Sequence, residues 1–119
     1  MKMTVGASDG ELVRVALSGP VTQRELAPMA EPLQDLLGPS AYAKRVTLDL
    51  NDVSYLDSSG VGWLLACHKR MRQAGGKLVL HSYSPIVSNV LRVLKLERVL
   101  DLAENALAAE KTALLGSKA

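Results

Sequence analysis

Apolar and polar residues alternate in two clear runs. Val13, Val15 and Leu17 alternate with Arg14, Ala16 and Ser18, and Val46, Leu48 and Leu50 alternate with Thr47 and Asp49. A period of two is that of a strand with one buried face. The short run Lys77-Leu78-Val79-Leu80-His81 reads as a buried strand, and Val99-Leu100-Asp101-Leu102 as a last short one. Thr4-Val5 fits an edge strand, and the Ser8-Asp9-Gly10 turn makes it one arm of an antiparallel hairpin with the Val13 strand.

Between the strands the period lengthens to that of a helix. After Ser58, Val61, Leu64, Leu65, His68 and Met71 share one face with Cys67 at its flank, and Trp63, Arg70, Ala66 and Ser59 fall on the far side. Ala74-Gly75-Gly76 stops this helix, with Gly75 as a left-handed cap. Thr22-Gln23-Arg24-Glu25 has capping-box spacing, which predicts a helix from Thr22 to about Leu37 and Gly38, kinked or broken by Pro28 and Pro32. Ser84-Pro85 opens a third helix whose buried stripe is Ile86, Val87, Val90, Leu91 and Leu94. A fourth covers residues 105–115 with Ala106, Leu107 and Leu114 inward, and residues 116–119 read as a frayed tail. Asn51-Asp52 reads as a turn after the Arg45–Leu50 strand.

Strand, helix and strand in succession imply right-handed crossovers and parallel pairing. The expected fold is therefore α/β, with a mixed, mostly parallel sheet of four to five strands and about four helices. Residues 1–119 form a single domain on this reading.

Composition narrows the chemistry. The apolar fraction is 48%, with one Trp, three Tyr and no Phe, so the core must be aliphatic. A net charge of +2 from dispersed Lys and Arg gives no reason to expect direct nucleic-acid or membrane binding. The single Cys67 excludes an internal disulfide and a cysteine zinc site. No run approaches the roughly 18 apolar residues of a membrane helix, and no signal-peptide pattern opens the chain. A cytoplasmic protein without metal or cofactor is the expectation.

Enzyme signatures are missing. There is no phosphate loop ending in Gly-Lys-Ser/Thr, and Gly60-Val61-Gly62 lacks the third glycine of a dinucleotide fingerprint. There is no Gly-x-Ser-x-Gly elbow. His68 falls on the core face of a helix as a hydrogen-bonded structural residue, and His81 lacks a metal-spaced partner. Turn and cap roles account for Asp49, Asp52 and Asp57. What stands out is Leu56-Asp57-Ser58-Ser59-Gly60-Val61-Gly62, where a strand hands over to a helix. Asp and Ser cap such junctions. Gly60 and Gly62 leave a first turn over which another backbone can pass. A hydroxyl at this partly positive end is well placed to carry phosphate. From the local residues alone, plain capping by the serines and phosphate acceptance both stand open.

Leu48-Asp49-Leu50, then Val53-Ser54-Tyr55-Leu56-Asp57-Ser58-Ser59-Gly60-Val61-Gly62, then Ala74-Gly75-Gly76-Lys77-Leu78-Val79-Leu80, then Ser84-Pro85-Ile86-Val87, resembles the STAS domain of anti-sigma factor antagonists. The likeness runs in order from about Thr4 to the last helix. It implies a non-catalytic switch. The serine after the Asp, here Ser58, would be phosphorylated by an anti-sigma factor that is also a serine kinase, and a serine phosphatase would reset it. Asp57, Ser59, Gly60 and the rest of the first turn, Gly62 included, would form the docking surface. The family usually reads Gly-x-Leu-Asp after its second strand. This chain has Gly19-Pro20-Val21-Thr22, so Thr22 takes the place of an acidic docking residue and removes a charge beside the phosphosite. Apart from the resemblance, an outward Trp63 within two turns of the serines would anchor an interface, the alternative being a half-buried Trp covered by a neighbouring helix. Two rivals remain: the STAS subunit of a lipid-transport ABC system, and a small enzyme with Ser58 as nucleophile, for which no general base is evident.

Overall fold

The computed structural model describes residues 1–10, 12–24 and 31–115. Five strands form one sheet in the order β1-β2-β3-β4-β5. They are β1 Lys2–Asp9, β2 Leu12–Val21, β3 Arg45–Leu56, β4 Lys77–His81 and β5 Asp101–Ala103. β1 and β2 are the expected antiparallel hairpin, and every other neighbouring pair is parallel. The α-helices among the described residues are α1 Pro32–Leu37, α2 Ser58–Ala74, α3 Pro85–Val93 and α4 Ala106–Leu115.

The two faces of the sheet divide the core by the period of two. Val13, Val15 and Leu17 of β2, Val46, Leu48 and Leu50 of β3, and Leu78 and Leu80 of β4 join residues of α1, α2 and α3 in the main cluster. Leu12, Val79 and Ala103 face the other way and meet Ala109 and Ala113 of α4. Gly76 makes the α2–β4 link possible. A Cβ there would strike the carbonyls of Tyr42 and Lys44, and the Lys77 N–H donates to the Lys44 carbonyl at 3.1 Å.

Four expectations need correction. Residues 22–24 form a bend and turn rather than the opening of a helix, and the Gln23 N–H donates to a carboxylate from another element. α1 begins only at Pro32, which stands at the helix start, where its missing N–H costs nothing. Glu25, Pro28 and the middle of the predicted helix lie outside the described residues, as does the tail at residues 116–119. Asn51 and Asp52 do not turn the chain: β3 runs on to Leu56, and the irregularity is absorbed as a register shift against β2.

In α3 only Val87 and Leu91 of the predicted stripe are fully buried, while Ile86 and Leu94 are more than half exposed. The helix ends at Val93, and Lys95 in a left-handed conformation (φ 56°) redirects the chain, so Leu96 and Leu100 fill the core instead. In α4, Leu107 and Leu114 face out and Ala109 and Ala113 face in. The rotation is fixed by a two-pronged Arg14–Glu110 ion pair, 2.9 Å on each prong, and by Arg45 donating to the Ala113 carbonyl at 2.8 Å. Alanines let the helix lie close to the sheet.

Candidate functional site at the tip of the second helix

β2 and β3 run parallel, so Val21 and Leu56 reach the same edge of the sheet, where they pair in register. Asp57 follows at once and caps α2. Its backbone is extended (φ −95°, ψ −176°), and its Oδ1 accepts from the Gly60 N–H at 2.9 Å. Its Oδ2 accepts from the Gln23 N–H at 3.0 Å, and its own N–H donates to the Val21 carbonyl at 3.4 Å. One carboxylate thus fastens the turn after β2 to the tip of α2. The Gly60 bond first, then the Gln23 bond, holds its pKa below the ordinary carboxylate value.

Gly60 has a different role from the one expected. It is buried, and a Cβ would collide with the Val21 carbonyl and come within 2.7 Å of Leu56 Cδ1. The backbone that crosses this glycine is the chain's own, so Gly60 sets the tip against β2 rather than meeting a visitor. Gly62 is exposed, with nothing within 4 Å of where a Cβ would lie.

Ser58, the first residue of α2, is exposed, and its side chain makes no hydrogen bond to the described residues. Capping belongs to Asp57, which leaves the Ser58 hydroxyl unoccupied. Ser59 and Thr22 are half-buried beside it. The structure therefore gathers Thr22, Asp57, Ser58, Ser59 and Gly62 at one place. Of the two alternatives for Trp63 the structure has the half-buried one: it packs against the main core and does not stand out from the helix. Tyr55, which sequence reasoning missed, is the exposed aromatic near Ser58, 53% accessible and in register with Pro20. Strand alternation hid it, since a period of two would place Tyr55 on the face of buried Val53; the register shift against β2 between Gly19 and Pro20 breaks that period, and Val53 and Leu56 are both buried.

The remaining reactive side chains are occluded. Burial pushes the Cys67 thiol up to about 12. His81 is buried on the α4 side of the sheet, with Nδ1 2.8 Å from Ser82 Oγ. His68 is buried as predicted but lacks the predicted hydrogen bond: its Nε2 has no partner. No cluster among the described residues could hold a metal ion, and no described helix is long and apolar enough to cross a membrane.

The Asp57 clamp predicts a pH signature. A carboxylate whose folded pKa is depressed stabilises the fold above its unfolded value, near 3.9, and loses that contribution as pH falls through the folded value. Asp57→Asn keeps one acceptor oxygen but puts an amide against the second N–H donor. We expect its melting temperature to lie a few degrees below wild type at pH 7, with the gap closing below about pH 4. Calorimetry of both proteins from pH 7 to pH 3 checks this. Glu110, also depressed by its Arg14 partner, is common to both and cancels in the difference.

Comparison with known proteins follows the same lines. A family model described as Mlab, STAS domain, matches residues 5–104. BtrV of Bordetella bronchiseptica, named as an anti-sigma factor antagonist, is 35% identical over 96% of this chain and 98% of its own. The anti-sigma-B factor antagonist of Bacillus subtilis is 30% identical over 72% of this chain and 70% of its own. Among solved structures, a Thermotoga maritima protein superposes with a TM-score of 0.77 at 20% identity, covering 94% of each chain. The anti-sigma factor antagonist SpoIIAA in its unphosphorylated form gives 0.71 at 18% identity, covering 97% of each. SpoIIAA of Bacillus in the phosphorylated form gives 0.65 at 19%, covering 93% of this chain and 99% of that one. With the fold, the Asp-Ser-Ser-Gly tip and these relatives in agreement, the chain belongs to the STAS domain family of anti-sigma factor antagonists.

Proposed function

We propose that this protein is a non-enzymatic switch acting in the cytoplasm. Unphosphorylated, it binds an anti-sigma factor that is also a serine kinase, and so frees a sigma factor to direct transcription. Phosphorylation of Ser58 by that partner releases it, and a serine phosphatase restores it. The observation that carries this reading is the division of labour at the tip of α2. Asp57 does the capping, so the exposed Ser58 hydroxyl carries no structural duty. A phosphate there lies at the partly positive end of a 17-residue helix, which stabilises negative charge in the free protein. That a neighbour in fold has been solved both with and without phosphate supports the view that such a domain tolerates the modification. Thr22, Asp57, Ser59 and Gly62 frame the acceptor and form the docking surface, and Trp63 supports it from the flank.

The test has two stages. The protein is used as bait in a lysate of its source organism, and captured partners are identified by mass spectrometry. An anti-sigma factor with a kinase domain is expected; recovery of ABC transporter subunits in its place would favour the lipid-transport reading. The captured kinase and ATP are then incubated with wild type, Ser58→Ala and Ser59→Ala. Wild type and Ser59→Ala are expected to gain one phosphate and Ser58→Ala none. Phosphate on Ser58→Ala would move the acceptor elsewhere.

A further inference from the structure

α2 packs mainly on β3, β4 and the short 3-10 turn Ala41–Ala43, whereas α3 packs on β3 and on the turn Leu96–Arg98. Between the outer flank of α2 and the segment entering β5 lies a groove of about 580 Å³, lined by Leu65, His68, Lys69, Arg72, Gln73 and Val99. The five α2 residues recur every three or four positions, so they form one stripe along the second half of the helix. That stripe leads away from the Ser58 tip, and nothing in the switch described above uses it.

Three features of the groove point to a ligand. It is apolar at Leu65 and Val99, and Val99 is 52% exposed although it is a large hydrophobic residue. It is cationic along one wall, where Lys69 and Arg72 stand in succession on α2. The carboxylate that acts on His68, Asp101, is itself paired with Lys77 Nζ at 3.7 Å, so it does not cancel that wall. Third, His68 contributes to the lining, is only 7% exposed, and carries the one buried side-chain polar atom without a partner among the described residues. A buried polar atom left unpaired is costly and calls for an explanation. Burial also holds this imidazole below its ordinary pKa, so the ring is neutral at pH 7 and offers a hydrogen bond rather than a charge.

We propose that this groove binds a small amphiphilic acid, a single carboxylate on an apolar body. The carboxylate sits against Lys69 and Arg72 with one of its oxygens accepting from His68 Nε2, and the apolar body lies along Leu65 and Val99. The volume falls in the range of small-molecule sites, about 300–1,000 Å³, and is too small to seat a partner helix. The inference does not depend on Ser58 or its phosphorylation.

Decanoate, kept below its micellar concentration, serves as the probe, with decanol as its uncharged counterpart and decylamine as its cationic one. Titration into the ¹⁵N-labelled full chain is followed by NMR. Saturable shifts are expected at the amides of residues 65–73 and 99 and at the His68 ring, while the His81 ring on the opposite face stays still. Decanol and decylamine are expected to bind at least tenfold more weakly. Lys69→Ala with Arg72→Ala, both exposed positions, should weaken decanoate at least tenfold, and Val99→Asp likewise. Unchanged circular dichroism shows these variants to be folded, and unchanged phosphorylation at Ser58 separates this result from the switch. No saturation at millimolar decanoate, equal binding of all three probes, or full affinity in the double variant would overturn the proposal. So would a groove covered in solution by a second copy of the chain.

Discussion

Gly60→Ala is expected to cost the fold about 1–3 kcal/mol, the usual price of forcing a methyl group into a packed site, whereas Gly62→Ala two residues on should stabilise it by up to about 1 kcal/mol. Both glycines lie in the first turn of α2, and both changes improve helix propensity. They differ in what surrounds the new carbon. At Gly60 it meets the Val21 carbonyl, which is backbone and cannot rotate aside, with Leu56 Cδ1 at 2.7 Å on another side. At Gly62 it meets open space. Relief at Gly60 requires the helix tip to move off β2, and that movement pulls Asp57 from Gln23. The loss should therefore appear in the switch as well as in stability: Gly60→Ala should be a poor substrate for the Ser58 kinase, with the Asp57–Gln23 clamp disturbed, while Gly62→Ala keeps the fold and the clamp. Urea denaturation of the three proteins gives the stabilities, and the amide shift of Gln23 reports the clamp. Equal stability of Gly60→Ala and wild type would mean that the tip is not pressed against β2.

That contrast also shows what the sequence could and could not reveal. Strands with strict alternation, and α2 with Val61, Leu64, His68 and Met71 on its buried face, were legible because period and burial express the same geometry. The site was legible too, since Asp-Ser-Ser-Gly after a strand predicts a capped helix tip with a hydroxyl at its start. What escaped was everything decided by contact between segments distant in sequence. Residues 22–24 have the composition of a helix start, yet they form a bend and turn that is tied by the Gln23 N–H to the Asp57 carboxylate, 34 residues on. Asn51-Asp52 has turn composition, yet pairing with β2 carries the strand through it. The phase of α4 was misread because leucine outweighs alanine in any apolar pattern. In the fold an ion pair from Arg14 sets the rotation, and the alanines are the residues small enough to approach the sheet. Gly60 read as an opening for a partner because a glycine in a helix looks like vacant space until the strand beside it is placed.

Phosphorylation of Ser58 is expected to lower affinity for the anti-sigma factor at least a hundredfold without altering the fold. The phosphate adds about −1.5 to −2 charge at neutral pH. Asp57, directly before it, is already ionised there, since its two backbone donors depress its pKa. In the free protein the pair of anions is exposed to water and faces the positive end of α2. Under a docked partner, water is removed and the like charges are confined. Such juxtaposition costs several kcal/mol, and about 2.8 kcal/mol already accounts for two decades in affinity. Ser58→Asp supplies one charge and less bulk, so about tenfold weakening is expected from it. Ser58→Ala should bind as tightly as wild type and stay bound when ATP is added. Calorimetric titration of the captured anti-sigma factor into the four forms measures each step, and amide spectra recorded beforehand establish that β2, β3 and α2 are unperturbed. A phosphorylated protein that binds within threefold of the unmodified one would show that the charge at this tip does not control the partner. A phosphorylated protein with shifted core resonances would show that release works by refolding instead.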